Sequence, residues 1–261
     1  MPNLRDRANS SLVKILFIGT SGAGKTGALT SLAAAGYRIR ILDLDNGLDA
    51  LAHHLAHEHP NAVDKVDFET VRDSMKATPA GPQVKGSARA FVEATKLMDK
   101  WSDDTVPAEW GQDTIFVLDS LTAFGRAAFL WAKGQNPGAR EPRQWYKVAQ
   151  DAVEDVLAML TSAEFQSNVI VISHVDIREQ ADGSIRGFAS SIGAALGPKI
   201  PRYFNTLVLS ETSGTGKNVK RKIKTVPTSL LDLKNPKPMK IEAELPLETG
   251  LGTIFKQLSS A

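Results

Sequence analysis

The 261-residue chain contains no cysteine. That excludes disulfides, thiolate metal sites and a cysteine nucleophile, and it fits a cytoplasmic protein. Charge of one sign is not in excess. The formal net charge is +2, so the average says nothing about nucleic acid and the local distribution has to be read instead. No window approaches the roughly eighteen uncharged apolar residues of a membrane span. Residues 1–11 are polar and of mixed charge, without the apolar core of a signal peptide. These absences predict a soluble protein of the cytoplasm with no membrane partner. What remains is chain enough for one sizeable α/β core.

Short apolar, β-branched runs alternate with helical patterns. Leu12–Ile18, Tyr37–Leu44, Thr114–Leu118, Asn168–Ile172 and Tyr203–Leu209 read as strands, with a shorter candidate in Val63–Val71. Ala28–Ala35, Leu48–His57, Ser87–Trp101, Leu121–Lys133 and Trp145–Ser162 read as helices. Thr78–Gly86 and Gly134–Pro142 read as loops, and the Gly/Ser-rich stretch 176–197 as a mobile one. Val219–Val226 alternates basic and apolar residues, as a strand with one exposed face does. The alternation predicts right-handed βαβ units and a mainly parallel sheet flanked by helices, with a late antiparallel extension. Three segments are expected: an N-terminal arm (1–11), a core (12–226) and a C-terminal extension (227–261). In such a sheet ligands sit at the C-terminal ends of the strands. Gly19, Asp45, Asp119 and His174 all follow apolar runs there.

Gly19-Thr20-Ser21-Gly22-Ala23-Gly24-Lys25-Thr26, followed by Gly27, fits the phosphate-loop pattern G-x-x-x-x-G-K-[ST], with a buried strand before it and an Ala/Leu helix after it. Glycines let the backbone curl so that successive N–H groups face phosphate oxygens, and the helix N-terminus adds partial positive charge. Lys25 would reach the β- and γ-phosphates. The Thr26 hydroxyl would ligate Mg²⁺. Asp119, closing the strand Thr114–Leu118, is the second expected magnesium-shell residue. No Asn/Thr-Lys-x-Asp guanine-reading motif follows, so ATP is favoured over GTP.

Asp43, Asp45, Asn46 and Gly47 after the second strand, Asp119-Ser120 after the third and Ser173-His174 after the fourth resemble the corresponding positions of RecA-like ATPases. The likeness covers roughly residues 12–226. It is closest to the short, core-only RecA-like ATPases of phages, the Sak family of single-strand annealing proteins and related phage nucleotide-binding proteins. The resemblance implies a RecA-like P-loop NTPase fold and Mg²⁺-dependent ATP hydrolysis. It also implies assembly into a homo-oligomer, ring or filament, and single-stranded DNA as partner in phage recombination and annealing, in the host cytoplasm. Asp45 matches the catalytic carboxylate that orients the attacking water, a position that is usually Glu in RecA proper. The shorter Asp puts fast turnover in question, with Asp43 as the alternative base. His174 matches the polar sensor of the γ-phosphate. Lys222 and Lys224, two apart and hence on one strand face, match a basic pair reaching a neighbouring subunit's γ-phosphate, with Arg221 on the other face.

Two loops match those that face DNA in the family. Lys133, Arg140 and Arg143 lie in the first, edged by Trp131 and Trp145, which fit the core better than a stacking platform. Arg178 and Arg186 lie in the second, where small residues suit a loop that orders on a ligand. Residues 214–240 hold eight Lys or Arg against one acid, Asp232, a pattern open to a nucleic-acid surface, the trans pair or a solvated face. Four histidines (His53, His54, His57, His59) lack an acidic partner with ligand spacing except Glu58, which is expected to face elsewhere. Two other readings share the phosphate loop. One is a KaiC-like, ATP-controlled assembly or switch protein without DNA. The other is a kinase, disfavoured because residues 176–197 carry too few arginines for a lid.

Overall fold

The apolar runs become the strands of one nine-stranded sheet in a computed structural model, which describes residues 12–138 and 141–260. The strands are β1 (Lys14–Gly19), β2 (Arg38–Asp43), β3 (Val66–Thr70), β4 (Met75–Lys76), β5 (Gln83–Val84), β6 (Gly111–Asp119), β7 (Ser167–Glu179), β8 (Ile185–Ala189), β9 (Thr206–Ser213), β10 (Lys220–Lys224) and β11 (Glu244–Pro246). The order across the sheet is β11-β10-β9-β1-β7-β6-β2-β3, with β8 paired to β7, while β4 and β5 form a separate two-stranded hairpin. β9, β1, β7, β6, β2 and β3 run parallel; β10 and β11 extend the sheet antiparallel. This is the α/β, mainly parallel P-loop architecture that the RecA resemblance implies, with its late antiparallel extension.

Alternation along β1 builds two cores. Leu16 and Ile18 face one side and Ile15 and Phe17 the other, all buried, as a sheet covered on both faces requires. The helices are α1 (Thr30–Ala34), α2 (Asp49–Glu58), α3 (Ala90–Asp99), α4 (Leu121–Gln135), α5 (Pro142–Thr161), α6 (Gly193–Leu196) and α7 (Leu247–Ser259). Phe91, Phe124, Val153 and Leu157 from α3, α4 and α5 pack with Leu16 and Ile18. Leu32, Leu51, Leu251 and Phe255 from α1, α2 and α7 pack with Ile15 and Phe17. Ser120 caps α4, its Oγ accepting the Ala123 N–H at 3.3 Å, and the Asp119–Ser120 peptide is cis.

Three expectations change. The helix after the phosphate loop opens as a 3₁₀ turn, Gly27–Leu29, before the short α1. The stretch 176–197 is not a featureless mobile loop: β7 runs on to Glu179, turns through Gly183 (φ +78°) and returns as β8. Its β-branched Val175 and Ile177 and the Asp182-Gly183 turn are hairpin chemistry. The C-terminal residues are built into the core. β11 pairs with β10, and α7 lies on α1, where the Gly252 N–H donates to Ser31 Oγ at 3.1 Å. A Cβ at Gly252 would stand 2.8 Å from the Ser31 carbonyl oxygen, so that close approach requires glycine. The N-terminal arm, residues 1–11, and Arg140 lie outside the described residues.

Candidate nucleotide site

Sheet register brings the strand ends together. Gly19 pairs with His174, and Asp43 with Asp119, so residues distant in sequence converge at the C-terminal edge of the parallel strands. The loop Gly19–Thr26 curls there with Gly22 at φ +74° and Gly24 at φ +87°, a left-handed region that side chains disfavour. Ser210 of β9 anchors it, its Oγ donating to the Ala23 carbonyl at 2.7 Å.

Lys25 is buried, and its ammonium turns back on the loop, donating to the Gly19 carbonyl at 3.0 Å and the Thr20 carbonyl at 2.9 Å. Burial lowers its pKa, while Asp119 and Asp45 pull the other way. The Thr26 hydroxyl donates to Asp119 Oδ2 at 2.7 Å. Asp119 is only 4% exposed. Burial pushes its carboxyl up to about 6; the Thr26 bond and Lys25 lower it, and Asp45 and Asp43 raise it further. His174 Nδ1 lies 3.4 Å from the Lys25 ammonium and Nε2 lies 3.9 Å from Asp45 Oδ2. Burial, then the Lys25 charge, holds its pKa below the ordinary imidazole value, against the pull of Asp45, so at neutral pH the ring is uncharged.

The two candidate bases separate clearly. Asp43 is buried and saturated: its Oδ1 accepts the N–H groups of Asp45 and Asn46 at 3.1 and 2.8 Å, and its Oδ2 accepts the Thr70 hydroxyl at 3.0 Å. It holds the turn that presents Asp45, whose carboxylate is open to the cleft.

Lys25, Thr26, Asp45, Asp119 and His174 line a cleft of about 550 Å³, within the range of small-ligand sites. They suit a magnesium nucleoside triphosphate. A buried ammonium whose hydrogen-bond partners are two carbonyls and an imidazole nitrogen, and a buried carboxylate of raised pKa, are charges awaiting counter-charges. Thr26 and Asp119 offer adjacent hard oxygens, as Mg²⁺ prefers. Among the described residues no group of three or more His, Asp or Glu could hold a metal by itself, so phosphate oxygens and water would complete the shell. Bound there, Mg²⁺ would neutralise developing charge on the phosphates.

The cleft has a wall that strand reading missed. Arg221 of β10, Leu247 and Glu248 of α7, and His54 and Glu58 of α2 also line it. Parity along β10 was the available signal, since it sets Arg221 opposite Lys222 and Lys224. Those two lysines do not line the cleft of their own chain. They are clasped by Glu211 and Glu244, with Lys222 2.8 Å from Glu244 and Lys224 3.0 Å from Glu211. Glu58 does not face elsewhere, contrary to the sequence expectation: one turn along the helix, His54 Nδ1 meets its Oε1 at 2.7 Å.

The candidate DNA cations are spread out. Arg178 and Arg186 share the β7–β8 hairpin, but Arg178 pairs with Asp176 and donates to the Ala194 carbonyl, and Arg186 pairs with Asp232 at 3.2 Å. Lys133 sits over the Trp145 ring at 5.6 Å, and Arg143 is exposed at the start of α5. Trp131 packs on Phe91 at a ring distance of 4.8 Å, and Trp145 donates to the Asn136 carbonyl, so neither is a free platform.

The loop, the hydrogen-bonded Thr26–Asp119 pair and the strand order define a P-loop nucleotide-binding domain of the ATPase type. Residues 11–236 match the model of a family described as an AAA domain, and the chain belongs to that family. Similar solved structures include these three. The RadB recombinase is 15% identical over 91% of this chain and 89% of its own, with a TM-score of 0.49. The flagellar accessory protein FlaH from Methanocaldococcus jannaschii is 10% identical over 95% and 93%, with a TM-score of 0.45. A KaiC-like protein from Pyrococcus horikoshii is 12% identical over 81% and 78%, with a TM-score of 0.41. No curated protein sequence matches the chain. Among the described residues no helix is long and apolar enough to cross a membrane.

Proposed function

We propose that the chain binds ATP with Mg²⁺ and hydrolyses it, with turnover coupled to single-stranded DNA and completed between subunits of a homo-oligomer. Its setting would be recombination or strand annealing of phage DNA. One observation supports this most: the run Lys25–His174–Asp45 in the cleft is continuous with the β7–β8 hairpin. The His174 N–H donates to Thr122 Oγ1 at 3.2 Å and its carbonyl accepts the Ser190 N–H at 2.7 Å, so the residue facing the reacting phosphate also anchors the hairpin carrying Arg178 and Arg186.

In this reading the loop amides and Lys25 hold the β- and γ-phosphates, and Thr26 and Asp119 hold the cation. Asp45 orients the water and takes its proton, and neutral His174 donates a hydrogen bond that reports the γ-phosphate. Lys222 and Lys224, outside their own cleft, would serve a neighbouring one, exchanging Glu211 and Glu244 for phosphate oxygens. The test is ATPase activity with and without single-stranded DNA, run beside a sizing measurement. Stimulation by DNA together with assembly supports the reading; absence of both stimulation and DNA binding removes the DNA part. The engagement of Arg178 and Arg186 with acids of their own chain favours a second reading, an ATP-controlled assembly switch. It would show DNA-independent turnover with nucleotide-dependent assembly.

A further inference from the structure

We infer that Arg221 is a phosphate-binding residue of its own chain's nucleotide site, carried there by the antiparallel extension of the sheet. The inference rests on the ATP reading above and adds a residue to it. β10 bears consecutive cations, Lys220, Arg221 and Lys222, which alternate across the sheet. Lys222 is neutralised by Glu244 and Glu211. Arg221 points to the opposite side and, among the described residues, forms no ion pair. Instead it lies across the phosphate loop. Its Nε donates to the Gly22 carbonyl at a long 3.4 Å, and its Cδ passes 3.1 Å from where a Gly24 Cβ would stand. A guanidinium with no ion pair among the described residues, laid over a loop shaped for polyphosphate, is a ligand in waiting. Its fork of donors matches phosphate oxygens better than one carbonyl does. Gly24 is thereby explained twice, by its positive φ and by the space that Arg221 and Leu247 take above it.

The test is calorimetric titration of ATP, ADP and AMP, with Mg²⁺, into wild type, Arg221→Met, Arg221→Lys and Lys220→Gln, at a protein concentration where sizing shows one species throughout. Arg221→Met keeps the stem over Gly24 and removes the charge. It is expected to weaken ATP about tenfold or more and AMP less, because the lost contact is to the polyphosphate. Arg221→Lys should recover part of the loss, and Lys220→Gln, of equal charge change on the other face, should stay within about twofold. Arg221→Met binding ATP within about twofold of wild type, with its melting transition unchanged, overturns the inference. An equal loss for ATP and AMP also overturns it, because that marks a packing role. If Arg221→Met melts early, Arg221→Gln is read by the same thresholds. Wild-type protein that binds no ATP overturns the nucleotide reading itself.

Discussion

Asp119→Asn should stabilise the ligand-free protein while impairing its magnesium-dependent binding. Burial pushes the carboxyl up to about 6 in the folded protein against an ordinary 3.8, with Asp45 and Asp43 adding to the rise and the Thr26 bond and Lys25 opposing it. A group with a raised acid pKa binds more protons folded than unfolded, so stability falls as pH rises from about 4 to 6 and stays lowered above that. Two pH units at about 1.4 kcal/mol each put the cost near 3 kcal/mol at pH 7, an upper figure for a group this buried. Asn is neutral and of the same shape, and its carbonyl can still accept from Thr26. Urea denaturation without nucleotide or Mg²⁺ should therefore show Asp119→Asn more stable than wild type by about 2–3 kcal/mol at pH 7, with the gain shrinking toward pH 4. ATP titration with Mg²⁺ should show the variant binding more weakly. A variant that is less stable at pH 7, or whose gain does not depend on pH, would refute the claim that Asp119 is an uncompensated buried charge kept for a cation.

Asp45→Asn should leave ATP bound and stop hydrolysis in a single-turnover assay; normal hydrolysis would assign the base elsewhere. Asp43→Asn should instead lower stability by about 1–3 kcal/mol, since one amide cannot accept from Asp45, Asn46 and Thr70 as the carboxylate does; thermal melting separates the two variants. Gly252→Ala should cost about 1–3 kcal/mol, because its Cβ meets the Ser31 carbonyl at 2.8 Å, and an unchanged melting temperature would show that α7 is not pressed on α1. Lys222→Ala should remove ATPase activity and leave nucleotide binding by the monomer intact; full activity would end the trans-cation proposal.

Most of the sheet was legible because a strand buried on both faces is a continuous apolar run, and the polar residue ending each run marks the ligand edge. That rule, together with the phosphate-loop pattern and the RecA-like resemblance, pointed to Gly19, Asp45, Asp119 and His174, and the sheet sets Gly19 beside His174 and Asp43 beside Asp119. The β7–β8 hairpin was not legible. It projects past the sheet with Asp176, Arg178 and Glu179 among its β-branched residues, and its glycines look like a loop when tertiary pairing is unknown. α7 was hidden by the prolines before it, although Leu247, Leu251, Ile254 and Phe255 form a buried stripe once the helix is seen. Which cation on β10 meets the phosphate loop depends on which face the loop occupies, a long-range fact that parity cannot supply.

β7 is thirteen residues long and unbroken from Ser167 to Glu179. Its first half is clamped between β1 and β6, and its second half, among the described residues, pairs as a strand with β8 alone. Mechanically it is a cantilever with its support near His174. Glu179 lies five residues beyond, about 16 Å at the usual rise of about 3.3 Å per residue. A tilt of about 5° at His174 would swing that tip by about 1.4 Å by this geometry. Any change of tilt at His174 is thus magnified geometrically toward the far end of the hairpin.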